Sequence, residues 1–88
     1  MDVPVITPIA GKILDINVKI GERVEENDVL ILVESMMLEI PVFSPTSGFI
    51  KNINVSIGQS VNPEDVIILI EEDNPLNGDY PSYLSFIG

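Results

Sequence analysis

Between Ile16 and Ile20, apolar Ile16, Val18 and Ile20 alternate with polar Asn17 and Lys19, and Asp15 precedes them as a further polar position. A period of two residues is the mark of a strand with one buried face. Ile53, Val55 and Ile57 repeat the pattern further along the chain. The steps from Ile13 to Ile16 and from Ile50 to Ile53 break the alternation at the same place in both stretches, which predicts a β-bulge or sharp bend there. Val29–Val33 and Val66–Ile70 are unbroken aliphatic runs, each followed by a glutamate. They predict strands in the core of a sandwich. Gly21 and Gly58 follow the alternating stretches, where a tight turn calls for positive φ. Prolines 4, 8, 41, 45 and 63 argue against long helices before residue 72.

These patterns are one unit written twice. Laid over each other with a shift of 37, Val5–Glu34 and Val42–Glu71 are identical at roughly half their positions without a gap. The matches include Pro8 with Pro45, Gly11 with Gly48, Ile16-Asn17-Val18 with Ile53-Asn54-Val55, Asp28-Val29 with Asp65-Val66, and Glu34 with Glu71. Halves of this size cannot each bury a face alone. The expected fold is therefore all-β, two antiparallel four-stranded sheets packed face to face about a pseudo-two-fold axis. The junction, Ser35 to Ile40, becomes an exposed hairpin with its tip near Met36-Met37.

Composition narrows the chemistry. The 88 residues make one small domain and contain neither cysteine nor histidine. Disulfides, zinc thiolates, thiol nucleophiles and Ser-His-Asp catalysis are excluded, and a reducing cytoplasm is the expected location. Four basic residues stand against fourteen acidic ones, a net charge of −10, so nucleic acid is not an expected partner. The acidity serves solubility or steers the chain toward a basic surface. The start, MDVPVITP, lacks the features of a signal peptide, and Val66–Ile70 is too short to span a bilayer, so no direct membrane insertion is expected. Phosphate loops of the GxGxxG or GxxxxGK[ST] type are absent. Glu25-Glu26-Asn27-Asp28 lacks the spacing of a calcium loop and reads as a solvated turn, with Asn27 able to hold a left-handed conformation.

The junction carries a resemblance. Glu34-Ser35-Met36-Met37-Leu38-Glu39, with its flanks, resembles the hairpin of the biotinyl domain of biotin-dependent carboxylases, decarboxylases and transcarboxylases. That hairpin reads Glu-Ala/Ser-Met-Lys-Met/Leu-Glu, so Met37 falls on its lysine. The likeness runs from Val3 to about Glu71, and Met36 favours the biotin branch over the lipoyl branch, which places an acid before its lysine. It implies a barrel-sandwich hybrid fold and a carrier role for residues 1–72. Such a carrier is not itself an enzyme; it takes carboxybiotin between partner active sites. The implied partners are biotin protein ligase and the biotin carboxylase and carboxyltransferase or decarboxylase subunits. The implied site residues are Met37, as the position of the biotinyl-lysine, with Met36, Leu38, Ser35 and Glu34.

In such a family the lysine amine attacks biotinyl-adenylate, and the tethered cofactor then reaches both sites at raised effective concentration. Methionine has no amine, so no biotin is expected on this chain as written. Lys12, Lys19 and Lys51 are expected away from the hairpin. Met37 is open to three readings: a deliberate Lys→Met replacement, a natural loss of modification, or ordinary hairpin surface. The alternative function is a non-biotinylated, lipoyl-like interaction module. Met36 and Leu38 serve partner contact, hairpin support or both. Glu34 orients the amine, contacts a ligase, or is a capped or solvated strand end. The segment 73–88, with turn signals and then Tyr80, Tyr83, Leu84, Phe86 and Ile87, stands outside the repeat as a tail.

Overall fold

A computed structural model describes residues 1–73, and the predicted tail beyond lies outside the described residues. Eight strands follow in chain order: β1 (Asp2–Ile6), β2 (Gly11–Ile16), β3 (Arg23–Val24), β4 (Val29–Ser35), β5 (Leu38–Phe43), β6 (Gly48–Ile53), β7 (Ser60–Val61) and β8 (Val66–Glu72). They form two antiparallel four-stranded sheets, ordered β1-β8-β6-β3 and β5-β4-β2-β7. This is the barrel-sandwich arrangement that the resemblance implies, and the shift of 37 carries β2, β3 and β4 onto β6, β7 and β8.

The halves are not stacked one on the other but threaded through each other. Each sheet takes two strands from each repeat, and four of the six strand pairings join one repeat to the other: β1–β8, β3–β6, β2–β7 and β4–β5. Loop hydrogen bonds follow the same rule. The Gly21 N–H donates to the Ile50 carbonyl at 2.7 Å, and its repeat mate Gly58 donates to Ile13 at 2.7 Å. Neither half has a sheet of its own, which is the physical reason the sequence had to be written twice.

Between the sheets lies one core of aliphatic side chains. Ile13, Leu30, Ile31, Val33 and their repeat mates Ile50, Ile67, Ile68 and Ile70 are buried. Each well-buried aliphatic side chain contributes about 1.5–3 kcal/mol. Two hydroxyls share the interior as a symmetric pair. Thr7 Oγ1 donates to the Ile9 carbonyl at 2.8 Å, and Ser44 Oγ donates to the Thr46 carbonyl at 2.6 Å. Both therefore escape the cost of an unpaired buried polar group.

The predicted bulges occur where the alternation breaks: register slips between Ile13 and Asp15 and between Ile50 and Asn52. The strands then end earlier than the alternation predicts. β2 and β6 stop at Ile16 and Ile53. Val18 and Val55 still point into the core, but Ile20 and Ile57 are 62% and 65% exposed. The cause is local. Asn17 and Asn54 give their N–H groups to Leu30 and Ile67, and the chain turns at once, with Glu22 N–H donating to Lys19 and Gln59 N–H to Ser56. Ile20 and Ile57 occupy the corners of these turns, ahead of Gly21 and Gly58, both at φ 90°. Edge strands β1 and β5 carry Pro4 and Pro41, equivalent across the repeat, and proline on an edge discourages pairing with another chain.

Candidate functional site

The β4–β5 hairpin closes with two residues, Met36 and Met37, because Ser35 pairs directly with Leu38. Both hold left-handed backbone, φ 51° and 67°. Positive φ at both central residues is the signature of the type I′ turn, whose twist matches the flanking strands. That turn is usually built from Asn-Gly, and a methionine at either place costs roughly 1–2 kcal/mol. The backbone therefore tolerates strain here to keep the strands tight and the tip narrow. Met36 is 91% exposed, Met37 94% and Leu38 65%, so three apolar side chains stand in solvent at one convex point. All five residues singled out in sequence lie together: Glu34 and Ser35 at the end of β4, Met36 and Met37 on the turn, Leu38 opening β5.

Directly below the tip runs a charged row. Glu34 of β4 faces Glu39 of β5 on one side and Lys12 of β2 on the other. Two carboxylates directly opposite each other repel, and a lysine on the third strand offsets part of that. Lys12 is thus at the foot of the hairpin, contrary to the expectation that all three lysines lie away from it. The register of β2 against β4, which the pattern of apolar positions does not disclose, brings it there.

Gly11 makes that register possible. A Cβ on Gly11 would fall 2.7 Å from Val33 Cγ1 and closer still to the Glu34 carbonyl oxygen, so only glycine lets β2 lie against the root of the turn. Gly48 occupies the same position against Glu71 in the other half. Sequence reading missed this support, although the match of Gly11 with Gly48 across the repeat was its signal. Glu64 was missed likewise: it holds φ 75°, as its mate Asn27 holds φ 74°.

The remaining candidates fall elsewhere. Glu25–Asp28 is a turn in which the Glu25 N–H donates to Asp28 Oδ2 at 2.8 Å. No grouping of three or more acidic side chains suited to a metal ion exists among the described residues. Nor does any helix there have the length and apolarity to cross a membrane. What the geometry of the site shows is two side chains, Met36 and Met37, held out on a narrow turn.

A family model described as "Biotin-requiring enzyme" matches residues 3–70, most of the chain. The chain belongs to the biotinyl/lipoyl domain family. Among curated proteins it is similar to the glutaconyl-CoA decarboxylase subunit gamma of Acidaminococcus fermentans, 49% identical over 37 residues, which is 42% of this chain and 26% of that protein. The matched part spans about a quarter of that relative. Among solved structures it resembles the urea carboxylase of Kluyveromyces lactis, with a TM-score of 0.77 and 24% identity over 81% of this chain and 6% of that one. A single-chain, multi-domain long-chain acyl-CoA carboxylase gives the same TM-score at 16% identity, over 98% of this chain and 9% of that one. At those identities the two structures speak for the fold. This biotinyl/lipoyl domain has the frame of domains embedded in much larger carboxylases.

Proposed function

We propose that the chain is a biotin carboxyl carrier domain of a biotin-dependent carboxylase or decarboxylase, that Met37 occupies its attachment position, and that this version is not biotinylated. The observation that carries the proposal is the turn itself. In a domain of this family, residue 37 is 94% exposed at the apex of the hairpin that joins the two repeats. A side chain there reaches furthest from the body of the domain and can enter a partner's active site without the sheets following it. Met36 and Leu38 flank it as apolar contacts, and Glu34 and Ser35 form the stem. The residue present does not fit the cofactor. A thioether offers no amine for acylation, and the lysine in register with the hairpin stem, Lys12, belongs to β2 rather than to the turn.

In this reading the domain supplies reach and recognition, while catalysis belongs to its partners, the biotin carboxylase and the carboxyltransferase or decarboxylase subunits, in the cytoplasm. Biotin protein ligase is the enzyme that would recognise the hairpin. The exposed Met36-Met37-Leu38 tip equally favours a second reading, an unmodified interaction module that uses the apolar tip itself as its contact.

The test is an intact-mass measurement after incubation with biotin, ATP and a biotin protein ligase. The chain as it stands is expected to gain nothing, and a Met37→Lys variant is expected to gain one biotin. Failure of the variant to be modified overturns the carrier assignment. Biotin on the unmodified chain, mapped to Lys12, overturns the assignment of residue 37.

A further inference from the structure

Met36-Met37 is the sole covalent joint between the two repeats, and among the described residues it is the one place where two consecutive non-glycine residues hold positive φ. The pairings that join the repeats are the majority of the fold, and none of them requires that both repeats come from the same molecule. We propose that the chain forms a two-fold, strand-exchanged dimer by opening this turn, residues 1–35 of each copy completing the fold of residues 38–73 of the other. The partner is a second copy of this chain. The proposal stands on the fold alone and is independent of the carrier assignment.

Register is what makes the exchange feasible. Glu34 faces Glu39 and Ser35 faces Leu38, so a two-residue turn sits symmetrically about the ladder. If the chain runs straight through, Met36 comes to lie opposite Met37 of the second copy, and Met37 opposite its Met36. The ladder crosses the joint without a slip, β4 and β5 become one continuous strand, and the four pairings that join the repeats are reproduced between copies while β2–β4 and β6–β8 stay within each copy. Both methionines leave the left-handed region for extended backbone, which any residue adopts freely. Two fully exposed side chains gain cross-strand neighbours. Short strained hinges in intertwined folds are where such exchange is expected. Against it stands the advantage of an intramolecular closure, so the dimer is favoured by protein concentration. Repulsion between acidic chains also opposes it, and salt screens that repulsion. Edge-to-edge pairing is a poorer route to association, because Pro4 and Pro41 interrupt the edge strands.

The experiment unfolds the full 88-residue chain in urea, refolds it in added salt at low and high protein concentration, and weighs the products by size exclusion with light scattering. A dimer that grows with concentration and persists on later dilution is expected, because exchange back requires both folds to open. Met36→Asn combined with Met37→Gly restores the preferred type I′ residues and is expected to lower the dimer fraction about tenfold. Deleting Met36 and Met37 joins Ser35 to Leu38, leaves no residue to reverse the chain, and is expected to give dimer alone. Ser35→Cys with Leu38→Cys then reports connectivity: oxidised dimer should run as a covalent pair, whereas a side-by-side dimer closes the disulfide within each chain. A wild-type chain that stays monomeric at every concentration, a deleted chain that folds as a monomer, or intrachain disulfides in the dimer would each overturn the proposal. Should the deleted chain fail to fold, the wild-type refolding result decides.

Discussion

The two ends of this molecule occupy equivalent places in the repeat and are held together by opposite means. At the hairpin end, β4 and β5 are joined by the Met36-Met37 turn, and the side chains there are apolar and free. At the terminal end the equivalent strands, β8 and β1, belong to opposite ends of the chain and have no covalent link. A backbone ladder joins them, and further backbone and side-chain bonds secure its end. The Glu72 N–H donates to the Met1 carbonyl at 2.8 Å, Thr46 Oγ1 donates to Glu72 Oε2 at 2.6 Å, and Lys51 Nζ meets Asp2 Oδ2 at 2.7 Å. Arg23 ties β3 to Asp73, reaches Glu25 at 3.6 Å, and stacks 5.5 Å above the Phe49 ring. The hydrogen bond that Arg23 donates to Asp73 raises its guanidinium above the ordinary value, and the one that Lys51 donates to Asp2 does the same for its ammonium.

Every ion pair among the described residues lies toward the terminal end. In the shift of 37, Arg23 corresponds to Ser60, Lys51 to Leu14, and Asp73 to Met36. Where the backbone turns on itself, no clamp is needed, and the side chains are left exposed. Where β1 and β8 pair without a turn between them, the same positions carry charges.

The comparison breaks most readily at the two glycines beneath the ends. Gly11→Ala and Gly48→Ala should each cost about 1–3 kcal/mol, since backbone rather than a pliable side chain stands in the way of the new methyl group. Urea unfolding measures both, and equal losses are expected. If one substitution is silent, the ends do not share a frame. Arg23→Ala comes next. Its partners are half-exposed, so the loss is about 1 kcal/mol or less, and it should be confined. Faster hydrogen exchange is expected at the Glu72 amide, with no change at Leu38. Equal acceleration at both would mean that the clamp serves the whole domain rather than one end. The smallest effect concerns pH. A lysine raised in the folded state contributes its stability below the ordinary value of 10.5, and loses it as pH rises through the raised one. The stability gap between wild type and Lys51→Met, followed by urea titration with circular dichroism, should therefore be constant at neutral pH and close only in the alkaline range above 10.5.

Much of this was open to inspection in the chain. The duplicated alternation located the bulges after Ile13 and Ile50, and the glycine spacing located the turns at Gly21 and Gly58, because these are local steric demands that repeat wherever the same residues recur. The hairpin tip followed from the repeat boundary, and the type of side chain at residue 37 could be judged before any coordinates. Ile20 and Ile57 misled, since alternation records which side chains are apolar but not where a ladder of hydrogen bonds ends. Lys12 misled for a related reason: its distance from the hairpin is set by which strand β2 pairs with, a contact between residues far apart in sequence.

What the sequence determined by itself, then, was the unit: strand content, bends, turns, and a two-residue tip lacking an amine. Local periodicity and backbone sterics act over a few residues, and a reader of the chain has access to all of them. Tertiary structure alone decided how the two units combine. The strand order interleaves them, sets Lys12 beside Glu34, presses Gly11 against the turn, and leaves a single strained joint between halves that otherwise hold each other by pairing. Those features depend on non-local register, which is settled only when both copies bury their aliphatic faces in one shared core.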